Sequence, residues 1–142
     1  MDLTSFVDDL VHEPTQTESR GLDLTVAAVR RVVDPGRIDF GGGELTDATT
    51  EPVPTDLRNP DDDYGWWHLS NDVYLLEYNE SLAGPGDVDL LLQPRDALRV
   101  QGAFHPTLHL AGDDDLGPLP LSVSNGGLRL KENARVSTLL SE

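Results

Sequence analysis

The chain has 142 residues, 37% of them hydrophobic, and carries 10 Lys+Arg against 26 Asp+Glu, a formal net charge of −16. It has no cysteine, which excludes a disulfide framework, a thiolate zinc site and cysteine catalysis. The acidity argues against a nucleic-acid partner, because a duplex adds one more negative charge per ~1.7 Å of axis.

The length predicts one domain over residues 1–142. No stretch approaches the ~20 apolar residues of a membrane span, and Met1–Ser5 carries no basic, apolar leader. The expected location is cytoplasmic, away from membranes. Lys131 is the only lysine among many dispersed acids, which points to a halophilic surface. Self-repulsion opposes compaction in dilute buffer, and it is screened at 1 M salt, where the Debye length is about 3 Å.

Leu3, Phe6, Val7, Leu10 and Val11 fall at helical spacing, so a short amphipathic N-terminal helix is expected, ended by Pro14. Leu22, Leu24 and Val26 alternate with Asp23 and Thr25 as in a short strand. Ala27 to Val33 suggests a short helix or a bend into Pro35-Gly36. Gly41-Gly42-Gly43 marks a tight turn. Residues 46–65, rich in proline and acids, are expected to form a surface loop.

From Trp66 the period becomes two. Val73 to Tyr78, Val88 to Gln93, Leu108 to Leu110, Leu119 to Ser124, Leu128 to Leu130 and Val136 to Leu140 all alternate or run apolar. Strands at intervals of ~8–12 residues with turn signals between them indicate an all-β sandwich or barrel. Pro118 and Pro120 lack amide donors, which marks that strand as an edge or a bulge.

The order of several blocks resembles the dUTPase/dCTP deaminase superfamily, most closely the short forms of halophilic archaea. Thr17 to Thr25, with Gly21, Asp23 and Leu24, is similar to the segment leading into the family's first strand. Pro35-Gly36-Arg37-Ile38 matches the halophilic forms. His68 to Glu80 is similar to the strand that ends in Tyr, two apolar residues and a Glu before a turn. Leu92-Gln93-Pro94-Arg95-Asp96-Ala97-Leu98-Arg99 resembles the family's Pro-Arg-Ser-Ser-Leu block. Asn133-Ala134-Arg135-Val136 resembles the start of its closing strand.

The resemblance implies a mainly β, distorted antiparallel β-barrel or jelly roll with a short N-terminal helix. It also implies a homotrimer with deoxypyrimidine nucleotide sites between subunits and a further C-terminal segment that closes each site. In the dUTPase branch an Asp activates water against the α-phosphate, and magnesium is held by the triphosphate. In the deaminase branch a Glu activates water at the pyrimidine C4 without zinc.

Carried over residue by residue, Arg95, Asp96 and Gly112 are the candidate phosphate-binding positions. Arg95 keeps the planar fork suited to phosphate. Asp96 replaces a serine and sets a negative charge beside that phosphate. Leu110 to Asp113 stands where the family has Asp-x-Gly-Tyr, so a leucine replaces the water-activating acid. No catalytic residue matches the family; Asp113, Asp114 and Asp115 are the candidate substitutes. Ser137-Thr138 replaces the final Ala-Gln, and Pro118 to Val123 lacks the deaminase glutamate.

Other constellations have plain structural readings beside the chemical ones. His105 and His109 could hold a transition metal with the aspartates from 113, or be a pair of surface histidines. The aspartate run could take magnesium or be a hydrated turn. Trp66 and Trp67 point to opposite faces of a strand, one toward the core and one toward a subunit contact or a base. Arg95 and Arg99 suit either an anion or salt bridges. No metal site or resident cofactor is assigned; magnesium enters only with an active enzyme. The expected function is that of a superfamily member with impaired or lost nucleotide chemistry. The alternatives are a working dUTP pyrophosphatase or dCTP deaminase with a rebuilt site, and an unrelated β-sandwich interaction module.

Overall fold

The computed structural model describes residues 2–142. After a 3-10 turn at Leu3–Phe6, the elements in chain order are β1 (Val7–Asp8), α1 (Glu13–Gln16), β2 (Leu22–Asp34), β3 (Thr49–Pro52), β4 (Trp66–Leu69), β5 (Val73–Tyr78) and β6 (Ser81–Leu82). β7 (Asp89–Pro94), α2 (Asp96–Val100), β8 (Ala103–Phe104), β9 (Leu108–Ala111), β10 (Leu119–Val123), β11 (Leu128–Lys131) and β12 (Arg135–Ser141) complete the described chain. The main sheet runs β8-β10-β5-β2-β12-β7-β9, with β3 added on β2; β1-β6 and β4-β11 form separate ribbons. The pairings are antiparallel, and the sheet curls into the half-barrel expected from the strand spacing. Among the described residues no helix is long and apolar enough to cross a membrane.

Strand β2 organises the interior. Leu22 and Leu24 join one apolar cluster with Val7, Leu90, Leu92, Leu119 and Leu139. Val26 and Val29 join the other, with Trp67, Leu69, Tyr74, Leu76, Leu121 and Val136. A register shift between Val26 and Ala28 explains how an even and an odd position reach the same core. A bulge adds one residue and reverses which side chains point inward. A second shift between Arg135 and Ser137 lets β12 serve both clusters, through Val136 and Leu139. Each fully buried leucine contributes about 1.5–3 kcal/mol relative to exposure.

Three expected elements differ, the first being the surface loop over residues 46–65, which holds β3 because Thr49–Pro52 completes the ladder along the far end of β2. The helix over residues 3–11 is replaced by the 3-10 turn and β1, because Val7 pairs with Leu82 and Asp9 takes a φ of 66°. A left-handed residue ends any helix there. Pro14 opens α1 instead of closing a helix, since its missing amide is harmless in a first turn. Ala27 to Val33 is neither helix nor bend: it continues β2, paired with β5 on one side and β3 on the other.

Other expectations hold. Gly42, at φ 86°, turns the chain between β2 and β3. Pro120 lies opposite Leu75 on β5. On its other flank β8 reaches only Ser122 and Val123, so the proline stands at a local edge.

Candidate functional site

Pro94 pairs with Ser137 at the end of β7, and Arg95 N donates to Val136 O, which fixes Arg95 beside β12. The Arg95 guanidinium turns inward, with Nε 3.3 Å from Oδ2 of Asp23. Asp23 is completely buried on β2. Its Oδ1 accepts from the hydroxyls of Ser19 and Thr138, both at 2.8 Å. Its Oδ2 also accepts from Arg135 Nη1 at 3.2 Å, and the same nitrogen donates to Thr15 O and lies 3.6 Å from Glu18. Two guanidinium groups therefore converge on one buried carboxylate. Such a pairing offsets a desolvation cost of several kcal/mol per ion only because the remaining lone pairs are satisfied.

A second buried carboxylate continues this polar spine. Glu80 accepts from Thr25 N at 2.8 Å, Thr25 Oγ1 at 2.6 Å and Gln16 Nε2 at 2.8 Å. Gln16 also donates to Asp23 O and accepts from the amides of Val11 and His12. Asn79 bridges Thr25 and Asn133. Above the spine opens a cavity of about 340 Å³, lined by Gln16, Thr25, Arg95, Asn133 and Arg135.

Asp96 does not enter that cavity. It starts α2 at the surface, held by Arg20 at 2.9 Å and by Arg99 one turn along. The Arg99 hydrogen bond and the Arg20 charge hold its carboxyl below the usual carboxylate range. Arg95 and Arg99 thus both sit in ion pairs within the chain.

Gly112 lies buried just past β9, against the segment leading into β7, its N–H donating to Val88 O and its carbonyl accepting from Gly84 N. A side chain there would strike Pro85 O, so the close passage of the two backbones requires glycine. Leu110 packs on the Leu90 cluster. Asp114 accepts from Ala111 N and Asp115 from Gly117 N, as turn-closing carboxylates do. Asp115 lines a different cavity, about 330 Å³, with Glu77, Tyr78 and Glu80. Within one chain the structure brings neither Asp96 nor Asp113 to Asp115 into the Arg95 cavity.

The two histidines have separate fates. His109 is exposed, with Nδ1 3.0 Å from Glu142. His105 is buried; Nδ1 lies 2.8 Å from Pro106 O and Nε2 2.7 Å from Ser137 Oγ. A carbonyl only accepts, so Nδ1 carries the proton and neutral Nε2 accepts from the serine. Ser137 Oγ in turn lies 2.6 Å from Tyr78 OH. Burial pushes the Tyr78 phenol up and the His105 imidazole down. Trp67 is core, donating from Nε1 to Val53 O, and Trp66 is half-buried on the opposite face.

Sequence reasoning gave no role to Glu80, Gln16, Thr25, Arg135, Tyr78 or Ser137 as a connected set. The available signal was the match of Asp23 and Glu80 to family blocks.

A probable deoxyuridine 5'-triphosphate nucleotidohydrolase from Methanosarcina acetivorans is 30% identical over 136 residues, spanning 94% of this chain and 76% of that protein. The chain belongs to the dUTPase/dCTP deaminase superfamily. A protein of the same name from Methanococcoides burtonii is 28% identical over 138 residues, with the same coverage. No protein-family model matches the chain. Among solved structures, a 2'-deoxycytidine 5'-triphosphate deaminase from Agrobacterium tumefaciens shares the superfamily fold, with a TM-score of 0.62 at 15% identity. The likeness covers 96% of this chain and 43% of that one, so the chain spans less than half of the deaminase's length.

Proposed function

We propose that this superfamily member is a homotrimer that binds deoxypyrimidine triphosphates weakly between its subunits and turns them over poorly or not at all. The observation that carries the reading is the inward turn of Arg95. Its charge is answered by buried Asp23, and the adjoining Asp96 faces solvent as a carboxylate where the family offers a hydroxyl. Phosphate must compete with Asp23 for the guanidinium. Leu110 supplies no proton acceptor, and general-base catalysis needs one within hydrogen-bond reach of the attacking water. Magnesium arrives with the triphosphate, so the chain needs no ligand set of its own.

A second reading is a working dUTP nucleotidohydrolase, favoured by the name of the Methanosarcina relative and by the cavity that sets Asp115 beside Glu77 and Glu80. The net charge of −16 calls for assay in concentrated KCl, where the halophilic surface is screened.

The deciding experiment is turnover of dUTP and dCTP with magnesium under those conditions, with the mass followed by light scattering. The expected result is a particle of three times 15.5 kDa and no turnover above background. Efficient release of pyrophosphate selects the second reading, and a monomer removes both.

A further inference from the structure

Six of the ten cations pair with carboxylates: Arg20, Arg30, Arg31, Arg95, Arg99 and Arg135. Among the described residues, Arg37, Arg58, Arg129 and Lys131 have no ion-pair partner. Three of those four gather at one place, the outer face of the β4-β11 ribbon. In so acidic a chain this concentration is the departure that needs a cause.

The ribbon's register creates it. Lys131 lies opposite Trp66 and Arg129 opposite His68. Strand alternation sends Trp67, Leu69 and Leu130 into the core and leaves Trp66, His68, Arg129 and Lys131 outside. The guanidinium of Arg58 then lies 4.7 Å from the Trp66 ring centre, and the Lys131 ammonium 5.6 Å from it. The indole holds both cations through its ring electrons without neutralising them. Glu132, next to Lys131, does not line the hollows described below; its carboxylate accepts from Gly65 N and Thr55 Oγ1.

The face is also concave. A hollow of about 130 Å³ is lined by Arg58, Trp66, His68 and Arg129, with Asp56 at its side. An adjoining hollow of about 350 Å³ shares His68 and Arg129 and extends to the Asn125–Gly127 turn. Asp56 is held there by its backbone pairing with Trp66.

We infer that this face binds an oligophosphate anion, bare or as the phosphate tail of a nucleotide, at a site separate from the Arg95 cavity. Three unanswered cations match the charge of two or three linked phosphates; a lone carboxylate leaves most of that charge uncompensated. Arg58 and Arg129 present guanidinium forks, the geometry that recognises phosphate oxygens in pairs. With the chain repelling anions elsewhere, an anion is held only where local cations outweigh the global field. The inference is independent of the function proposed above, because it uses none of the Arg95 residues.

The test is calorimetric titration of the full chain with pyrophosphate, tripolyphosphate, dUTP and deoxyuridine, at the lowest KCl that keeps its near-UV circular dichroism. Pyrophosphate is expected to bind once per chain and to weaken as KCl rises. The double substitution Arg58→Gln with Arg129→Gln should weaken it at least about tenfold, with Lys131→Gln as a milder second probe. Arg37→Gln, at an unpaired cation outside the ribbon, should leave it unchanged. Tighter binding of dUTP than of tripolyphosphate identifies a nucleotide tail, and equal binding identifies a free oligophosphate. Deoxyuridine should not bind. Absence of saturable pyrophosphate binding overturns the inference, as does binding that survives both ribbon variants or that sulfate displaces at equal concentration.

Discussion

The interior spine and the outer face of the β4-β11 ribbon hold similar cations in opposite circumstances. On the spine, Arg95 and Arg135 meet Asp23, and donors close on Glu80, so each charge has a partner within the chain. On the ribbon, Arg58 and Lys131 meet only an indole ring. The difference separates charge that maintains the fold from charge left open to a ligand. An arginine at a family motif position is not open merely because it is arginine.

The largest expected effect is on the spine. Glu80→Ala removes the acceptor of three buried donors and should cost about 4 kcal/mol, from the penalty of leaving such groups unsatisfied. Chemical denaturation in concentrated KCl measures it; a loss under about 1 kcal/mol would mean that water already enters the spine.

Asp23→Asn is the sharper test, because it makes the spine resemble the ribbon. It should cost about 2 kcal/mol, since Arg95 and Arg135 keep some exposure and water can take up part of their charge. Freed from the carboxylate, Arg95 should bind triphosphate several-fold more tightly in the same variant. Loss of stability without any gain in binding would show that Arg95 does not face a ligand even when released.

A smaller effect follows from His105, whose neutral ring belongs to the interior. Burial lowers its pKa in the folded chain, while the unfolded chain keeps a value near 6.5. Below that value the unfolded state binds more protons, so its contribution is complete above pH 6.5 and is lost as pH falls toward the folded pKa. The slope from one proton is at most about 1.4 kcal/mol per pH unit. Denaturant midpoints for the wild type and His105→Gln should converge as pH falls through this window; parallel lines would place His105 in contact with solvent. The smallest effect is expected for Lys131→Gln, a stability change within about 0.5 kcal/mol, as for exposed side chains outside ion pairs. A larger loss would make the ribbon cations structural, like those of the spine.

Much of the fold was legible in the residues. Beyond Trp66 each period-two segment became a strand, because alternation survives wherever one face is buried. Reading failed where partners were distant. Leu3 to Val11 has helical spacing, yet pairing with Leu82 fixes Val7 as strand, and a turn at Asp9 has no apolar signature. Arg30 and Arg31 interrupt the pattern of β2, but they lie where β3 and β5 flank them, with Arg30 hydrogen-bonded to Thr50.

The site was legible in its members and not in its wiring. Asp23, Glu80 and Arg95 all fell in recognised blocks. Nothing local says that Asp23 takes the charge of Arg95, or that Arg58 and Lys131 reach the same indole from distant parts of the chain.

The 13 residues of β2 also dictate an order of events during synthesis. Its far end, Arg30–Asp34, meets β3 soon after emerging, and its middle must wait for β5. Its near end, Leu22–Leu24, has no strand partner until Ser137–Leu139 leaves the ribosome. For that interval two core leucines sit in an open strand, the kind of segment that seeds association between nascent chains. Asp23 stands between them. The carboxylate that later disappears beneath Arg95 is, on the growing chain, a charged gatekeeper that discourages neighbours from completing the sheet first.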